Sequence, residues 1–511
     1  MAFSQLIQAQ SSFLPINREL SNLYEYHALN HNLAFHNSVR PFRSVDIAPV
    51  KGLDSLNLSI TPKILLFNVE KVKKDAHSRL VLRPLFSVLP AIDLSNNKSV
   101  METSLGLFGL AQMGRKVSLS VNYISGNSGF ANYVDSFIQT TEVVPGRGYA
   151  HPTKQGYSYY TLDGYVSYSP SKYFNFQLGQ GRNFLGNGYR SLLLSDNPYS
   201  YPFFKLSTNI WNFKYLNLFT MMSNEPGFGG TNSKFGRKYA SFHFLSWNVN
   251  KRLNIGVFES IIWQGDDSSG TRGFDINYLN PVIFYRPVEY SLGSSDNALL
   301  GLNIAVRLTR AFVFYGQLII DEFLLKEIEA RSGWWANKHG FQLGLKSFNF
   351  LKIKGLHFQT EVNYVRPYTY SHGLSLQNYS HYNQALAHPL GANFYESVSF
   401  LRYSIKGFSI EGMGLVAVIG ADSAGSNWGG NIFLDYGTPK EQEFDNKVSQ
   451  GVKTNLLIMG LKISYLLYPS INLRLESGLV MRNKISDVLE ETSTMFYLGV
   501  KTELGNIYHD F

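Results

Sequence analysis

Leu356-His357-Phe358-Gln359-Thr360-Glu361-Val362-Asn363-Tyr364 changes character at every residue. Leu356, Phe358, Thr360, Val362 and Tyr364 make one set, and His357, Gln359, Glu361 and Asn363 the other. Successive side chains of an extended chain point to opposite faces, so this is a strand with one oily and one wet side. The pattern recurs. Val117, Leu119, Val121 and Tyr123 alternate with Ser118, Ser120 and Asn122. Ile304, Val306 and Leu308 alternate with Asn303, Ala305, Arg307 and Thr309. Ile471, Leu473, Leu475, Ser477, Leu479 and Met481 alternate with Asn472, Arg474, Glu476 and Arg482. Period two governs the chain from about residue 78 onward.

A β-sandwich or a propeller also alternates, so the lengths of the connections decide. Short turns fall near 113–116, 169–172, 210–213, 248–252, 308–311, 347–354, 404–407 and 467–470. Between them lie long polar or Gly/Asn-rich links near 130–155, 183–200, 225–237, 265–296, 323–337, 368–392, 421–452 and 485–491. Strict alternation of short and long links puts all short turns at one rim and all long loops at the other. Outer-membrane barrels have that asymmetry, with short periplasmic turns and long external loops. Eight short turns make sixteen strands, and one more at each end (about 78–94 and 492–505) gives eighteen. The expected fold is therefore all-β: a transmembrane outer-membrane β-barrel of about 18 antiparallel strands, with a short N-terminal periplasmic helix. The closing Phe511 fits the terminal aromatic usual in exported barrels.

Composition agrees. Of 511 residues, 44% are hydrophobic and only 16% charged, with 32 Tyr, 37 Phe and 44 Gly. That mixture suits strands, aromatic girdles and tight turns. There is no cysteine, which excludes a disulfide scaffold, a zinc ribbon and a thiol nucleophile. No stretch reaches the roughly 18 apolar residues of a transmembrane helix. A membrane-spanning form must then be a closed barrel, because lipid offers the backbone no hydrogen bonds. The net charge of +9 is spread along the chain, a mildly basic surface suited to anionic glycans or headgroups. Nothing suggests nucleic acid.

Three regions follow. Residues 1–9 contain Ile7-Gln8-Ala9, which resembles the tail of a signal peptide. Residues 10–76 read as a periplasmic N-terminal segment; within it, 17–28 predict a helix with Leu20, Leu23, Tyr24 and His27 at helical spacing and Asn17 as cap. Lys71, Lys73 and Lys74 form a basic patch there. Residues 77–511 are the barrel.

The most distinctive passage is Gly179-Gln-Gly-Arg-Asn-Phe-Leu-Gly-Asn-Gly-Tyr-Arg190, followed by Ser191-Leu-Leu-Leu-Ser-Asp196-Asn197 and Tyr201-Pro-Phe203. Its glycine spacing is only loosely nucleotide-like, and no apolar helical run follows to hold a phosphate. Gly186 and Gly188 instead suit tight turns where the chain folds at or into the barrel mouth. The run from Phe184 through Gly186, Asn187, Gly188, Tyr189 and Arg190 to Asn197 resembles the signature of the capsule-assembly Wzi family. The nearer likeness is to its Bacteroidota branch, identified with the gliding-motility protein RemB. Phe274-Asp-Ile-Asn-Tyr-Leu-Asn-Pro-Val282, Arg286-Pro-Val-Glu289, Gln359–Tyr370 and Phe13-Leu-Pro-Ile-Asn-Arg18 carry the same resemblance. It implies an eighteen-stranded outer-membrane barrel with a periplasmic helical element, and a lectin-like hold on capsular polysaccharide. The helical portion here is much smaller than the family's bundle.

Aromatic faces stack on sugar rings, while carboxylates and guanidinium groups bond to hydroxyls and acidic substituents. The glycan-binding candidates are Tyr189, Arg190 and Asp196 in the motif loop, Trp334 and Trp335 in 323–337, and Tyr379, Tyr382 and Trp428. For each aromatic the plainer alternative is girdle or loop packing, and for Arg190 and Asp196 an internal ion pair. Asp266 and Asp267 lack the spacing of a calcium loop, and His372, His381 and His388 are scattered through one tyrosine-rich loop. No metal, cofactor or catalytic constellation is expected.

The leading functional expectation is a non-enzymatic barrel that binds or anchors surface polysaccharide (capsule or exopolysaccharide) and supports gliding. Its partners would be that polysaccharide, outer-membrane lipid and lipopolysaccharide, and envelope or motility proteins. The alternative is a passive porin or glycan transporter, since an eighteen-stranded barrel is wide enough for a channel unless inward loops fill it. Segment 183–200 is the expected obstruction.

Overall fold

The computed structural model describes residues 12–47, 69–73, 78–224, 236–267, 270–271, 273–284, 296–423 and 425–511. The signal-peptide-like residues 1–9, the Lys74 end of the basic patch and the Arg286–Glu289 stretch lie outside them, as do the side chains of Lys71, Lys73, Asp266 and Asp267.

Eighteen antiparallel strands form one closed barrel. In chain order they are β1 (Ser78–Asp93), β2 (Lys98–Met113), β3 (Val117–Ser128), β4 (Gly156–Tyr168), β5 (Phe174–Gly181) and β6 (Tyr201–Ile210). Next come β7 (Phe213–Asn224), β8 (Gly236–Asn248), β9 (Leu253–Gln264), β10 (Asn297–Arg307), β11 (Phe312–Ile320) and β12 (His339–Phe348). The last are β13 (Leu356–Val365), β14 (Phe394–Ile405), β15 (Phe408–Ala421), β16 (Val452–Tyr468), β17 (Leu473–Ile485) and β18 (Glu490–Lys501). Each pairs with its sequence neighbour, and β18 closes on β1 from Met495↔Asp93 to Lys501↔Ser87. Below Ser87 the edge of β1 would lack a partner; a short strand, Val69–Lys73, pairs there from Val69↔Leu82 to Lys73↔Ser78.

Alternation sets the faces. On β13 Gln359, Glu361 and Asn363 are buried toward the bore, while Val362 faces outward and is exposed. On β17 Glu476 and Arg482 point inward, and Leu475 and Met481 outward. Outside β7–β9 the outer surface is mainly an apolar wall, as acyl chains require. No helix among the described residues is long and apolar enough to cross a membrane.

The bore is occupied by the chain itself. Helix α1 (Arg18–Asn30) starts at Asn17, whose side chain accepts from Leu20 N at 2.9 Å. It lies inside the wall near the short-turn rim, where Glu19 pairs with Arg402, Lys462 and Arg474, and Glu25 with Lys346. The described residues 12–47 are thus a plug continuous with the barrel rather than a separate unit below it. From the opposite rim the motif loop 182–200 folds inward, and its Phe184-Leu185 pairs with Val39-Arg40 of the N-terminal segment. A third segment, 502–511, leaves the end of β18 and runs up the bore. Phe511 therefore does not end a wall strand. It packs against Phe137 and Tyr133 of helix α2 (Asn132–Thr141), which lies in the long link after β3.

Candidate functional site

The three plugging segments meet on the motif loop, which pairs with Val39-Arg40 of the N-terminal segment and binds the tail through Arg190. Two glycines make the approach. Gly186 has φ +150°, and a Cβ there would stand 2.4 Å from Gln317 Nε2. At Gly188 a Cβ would meet the Arg190 carbonyl and Glu361 Oε2, each at 2.7 Å. Only glycine lets the backbone turn this close to inward side chains. Asn187 accepts from Asn303 Nδ2 at 3.0 Å, and its carbonyl accepts from Arg40 at 3.3 Å.

Arg190 is 1% exposed. Its Nη2 donates to Glu396 Oε1 at 2.9 Å and to the Asp510 carbonyl at 2.9 Å, and Nη1 to Asp510 Oδ1 at 3.1 Å. Glu361 of β13 receives the backbone N–H groups of Tyr189 and Arg190 at 2.8 and 2.9 Å, and the Tyr315 hydroxyl at 2.8 Å. His388 Nε2 lies 2.9 Å from Glu396 Oε2, and Tyr189 Oη donates to Asp510 Oδ2 at 2.8 Å. Burial disfavours the Arg190 charge, but Asp510 and Glu396 outweigh it and hold its pKa well above the ordinary value. Burial likewise pushes the Asp510 carboxyl up, an effect that Arg190 opposes. The same burial holds the His388 imidazole below its usual value. Asp196 accepts from Tyr508 Oη at 2.7 Å and Asn506 Nδ2 at 3.0 Å, tying the motif loop to the tail again. Asn197 Nδ2 donates to the Ala385 carbonyl at 3.0 Å.

Arg190 and Asp196 are thus bound to the chain's own acids and hydroxyls and present nothing to an incoming sugar. Tyr379 is buried with its hydroxyl on the Leu193 carbonyl. Tyr189 lines a cavity of about 430 Å³ left between the tail and the wall of β14–β18 and β1–β2. Charges of both signs, among them Arg147, Glu411, Lys462 and Arg474, line it as well. Tyr382 packs against Tyr199, the ring centres 5.0 Å apart. Trp428 is half-buried, and its backbone N–H donates to Asp422 Oδ1 at 2.5 Å. His372, His381 and His388 turn to different neighbours, and no group of metal-binding side chains occurs among the described residues.

Trp334 and Trp335 do come together at the long-loop rim, with residues that the motif reading did not single out. Their Nε1 atoms both donate to Glu443 Oε1, at 2.9 and 3.1 Å. Tyr436 packs edge-on to Trp335 at 4.9 Å, and Lys440 Nζ sits 3.9 Å above the Trp335 ring. Trp334 and Tyr436 are half-buried, and Glu443 and Phe444 exposed. Trp335 is buried beneath Lys440 and anchors the group, so loops 321–338 and 422–451 present the half-buried rings of Trp334 and Tyr436 beside a cation and a carboxylate. That combination stacks on and hydrogen-bonds polyhydroxylated rings. Linear spacing could not reveal it, because the two halves are more than a hundred residues apart.

No family model and no curated protein matches this chain. Among solved structures it is similar to Wzi, an outer-membrane protein involved in group 1 capsule assembly in Escherichia coli and described as a carbohydrate-binding β-barrel. That match has a TM-score of 0.57 at 13% identity and covers 98% of this chain and 100% of that one. A BenF-like porin from Pseudomonas fluorescens matches with a TM-score of 0.45 at 9% identity, over 85% of this chain and 100% of that one. Acinetobacter baumannii OccAB2 matches with 0.46 at 9%, over 83% and 97%.

Proposed function

We propose that this outer-membrane barrel binds or anchors surface polysaccharide, without bond-breaking chemistry in its bore or at its outer rim. The single observation that carries the reading is the filled bore: the N-terminal segment pairs with the motif loop at Phe184-Leu185, and the buried Arg190 of that loop binds the tail. A passive pore has no use for such a stopper, whereas an anchor needs a rigid one. The Trp334–Trp335–Tyr436–Lys440–Glu443 cluster is the proposed glycan platform, and the carbohydrate-binding description of the Wzi structure supports the ligand class. The RemB-like resemblance of the motif loop extends the role to cell-surface adhesion during gliding.

The test joins two measurements on the purified barrel. In planar bilayers it should be silent, and immobilised in nanodiscs it should retain acidic exopolysaccharide. Trp334→Ala should weaken that retention about tenfold, the loss expected for one stacking contact of about 1.4 kcal/mol. Steady large single-channel currents without polysaccharide retention would replace this reading with the porin one.

A further inference from the structure

The outer wall of β7–β9 carries a polar row where acyl chains should lie. Asn217 pairs across the ladder with His243, and His243 with Glu259. Their chain neighbours Leu216, Leu218, Phe242, Phe244 and Phe258 belong to the core inside the bore, so the row faces outward. Ser241 shares that outer face. Its Oγ lies 3.1 Å from His243 Nε2, and His243 Nδ1 lies 2.7 Å from Asn217 Oδ1. Bare to lipid, such groups are costly. They are not bare: Asn217, Ser241, His243 and Glu259 are all buried.

The cover is Gly273–Phe284, part of the long connection after β9 that alternation of link lengths assigned to the external solvent. It descends over the wall instead. Trp263 Nε1 donates to the Gly273 carbonyl at 3.3 Å, Ser241 Oγ to the Tyr278 carbonyl at 3.3 Å, and Tyr215 Oη to the Pro281 carbonyl. Phe284 N donates to Glu259 Oε2 at 2.8 Å. Within the segment, Asp275 Oδ1 caps Asn277 N at 3.0 Å and Asn280 Oδ1 caps Val282 N at 3.1 Å. The Tyr278 ring packs 4.5 Å from Trp263. Its other side is oily: Ile276 is 76% exposed, Val282 56%, Phe284 45% and Leu279 41%. These residues continue the exposed apolar surface of Met221, Trp247 and Leu302.

We infer that Gly273–Phe284 is a strap immersed in the outer leaflet, with lipid acyl chains as the partner of its apolar side. Irregular backbone is excluded from lipid unless its polar groups find partners in the protein. The polar row supplies those partners, which explains together the hydrophilic wall residues and the oily loop. The strap holds the Phe274–Val282 motif, to which the polysaccharide reading gives no role.

The cysteine-free chain makes the test direct. Single variants Ile276→Cys and Val282→Cys carry a bimane label in phosphatidylcholine vesicles, with Leu302→Cys on the wall and Val488→Cys in the 486–489 hairpin as references. Heat-modifiable gel mobility confirms folding, and Leu279→Cys replaces a variant that fails to insert. Doxyl lipids should quench positions 276 and 282 as strongly as 302 and several-fold more than 488, with aqueous iodide showing the reverse order. Quenching that follows position 488 would overturn the inference. So would a pattern in which both quenchers are excluded and Ile276→Cys cross-links two copies, because the strap would then be a protein interface.

Discussion

Arg190 is the residue on which the interior turns. It is charged, almost completely enclosed and held by two acids from different parts of the chain, Glu396 on β14 and Asp510 in the tail. Removing one member of such a group leaves its partners as unpaired buried charges, at a cost of about 3–5 kcal/mol. Arg190→Met should lower the stability of the folded barrel by that amount in urea titrations at fixed lipid. Arg190→Lys should recover only part, because an ammonium cannot serve both acids with a planar fork. The motif marks Arg190 in the sequence but not its acids, since Asp510 lies 320 positions away and Glu396 206. The outer row leaves a clearer trace. Once β7–β9 are aligned by alternation, Asn217, His243 and Glu259 are polar residues on the oily face, an inconsistency written in the amino acids themselves.

At the scale of elements, the strands, the 17–28 helix and the inward segment 183–200 were legible, but how the fillings lock together was not. Eighteen strands and the rims of their links follow from a period of two and from turn residues, both local signals. The plugs rest on contacts such as Asn17 Nδ2 to the Leu504 carbonyl at 2.7 Å, across 487 positions, for which the chain has no local mark. Two predictions belong here. Deleting residues 502–511 removes the carboxylate of Asp510 and the column that carries Phe511, so the variant should show stepwise conductance where the full chain is silent in planar bilayers. The second concerns the loop that presents the tryptophans. Burial raises the Asp321 carboxyl to about 7, an effect that Lys338 opposes, while Asp321 Oδ2 accepts from Tyr370 N at 2.8 Å. Folding then favours the protonated form, so its contribution to stability is greatest below the unfolded pKa of about 4 and falls as pH rises toward 7. The Tm should accordingly drop between pH 5 and pH 8, and Asp321→Asn should flatten that dependence.

For the whole molecule, an apolar cylinder meets lipid while residues 12–47, the motif loop and residues 502–511 fill its middle. The tail touches every part of that filling: Leu504 and Asn506 bond to the start of α1, Tyr508 and Asp510 to the motif loop, and His509 and Phe511 to α2. If a polymer is held at the outer rim as proposed, a tug on it is not borne by the loops alone. It passes from motif loop to arginine, from arginine to tail, and from tail to a helix fastened by ion pairs to strands at the opposite mouth. Such a load would be carried into the wall by ion pairs at Lys346, Arg402, Lys462 and Arg474 rather than by the outer loops alone.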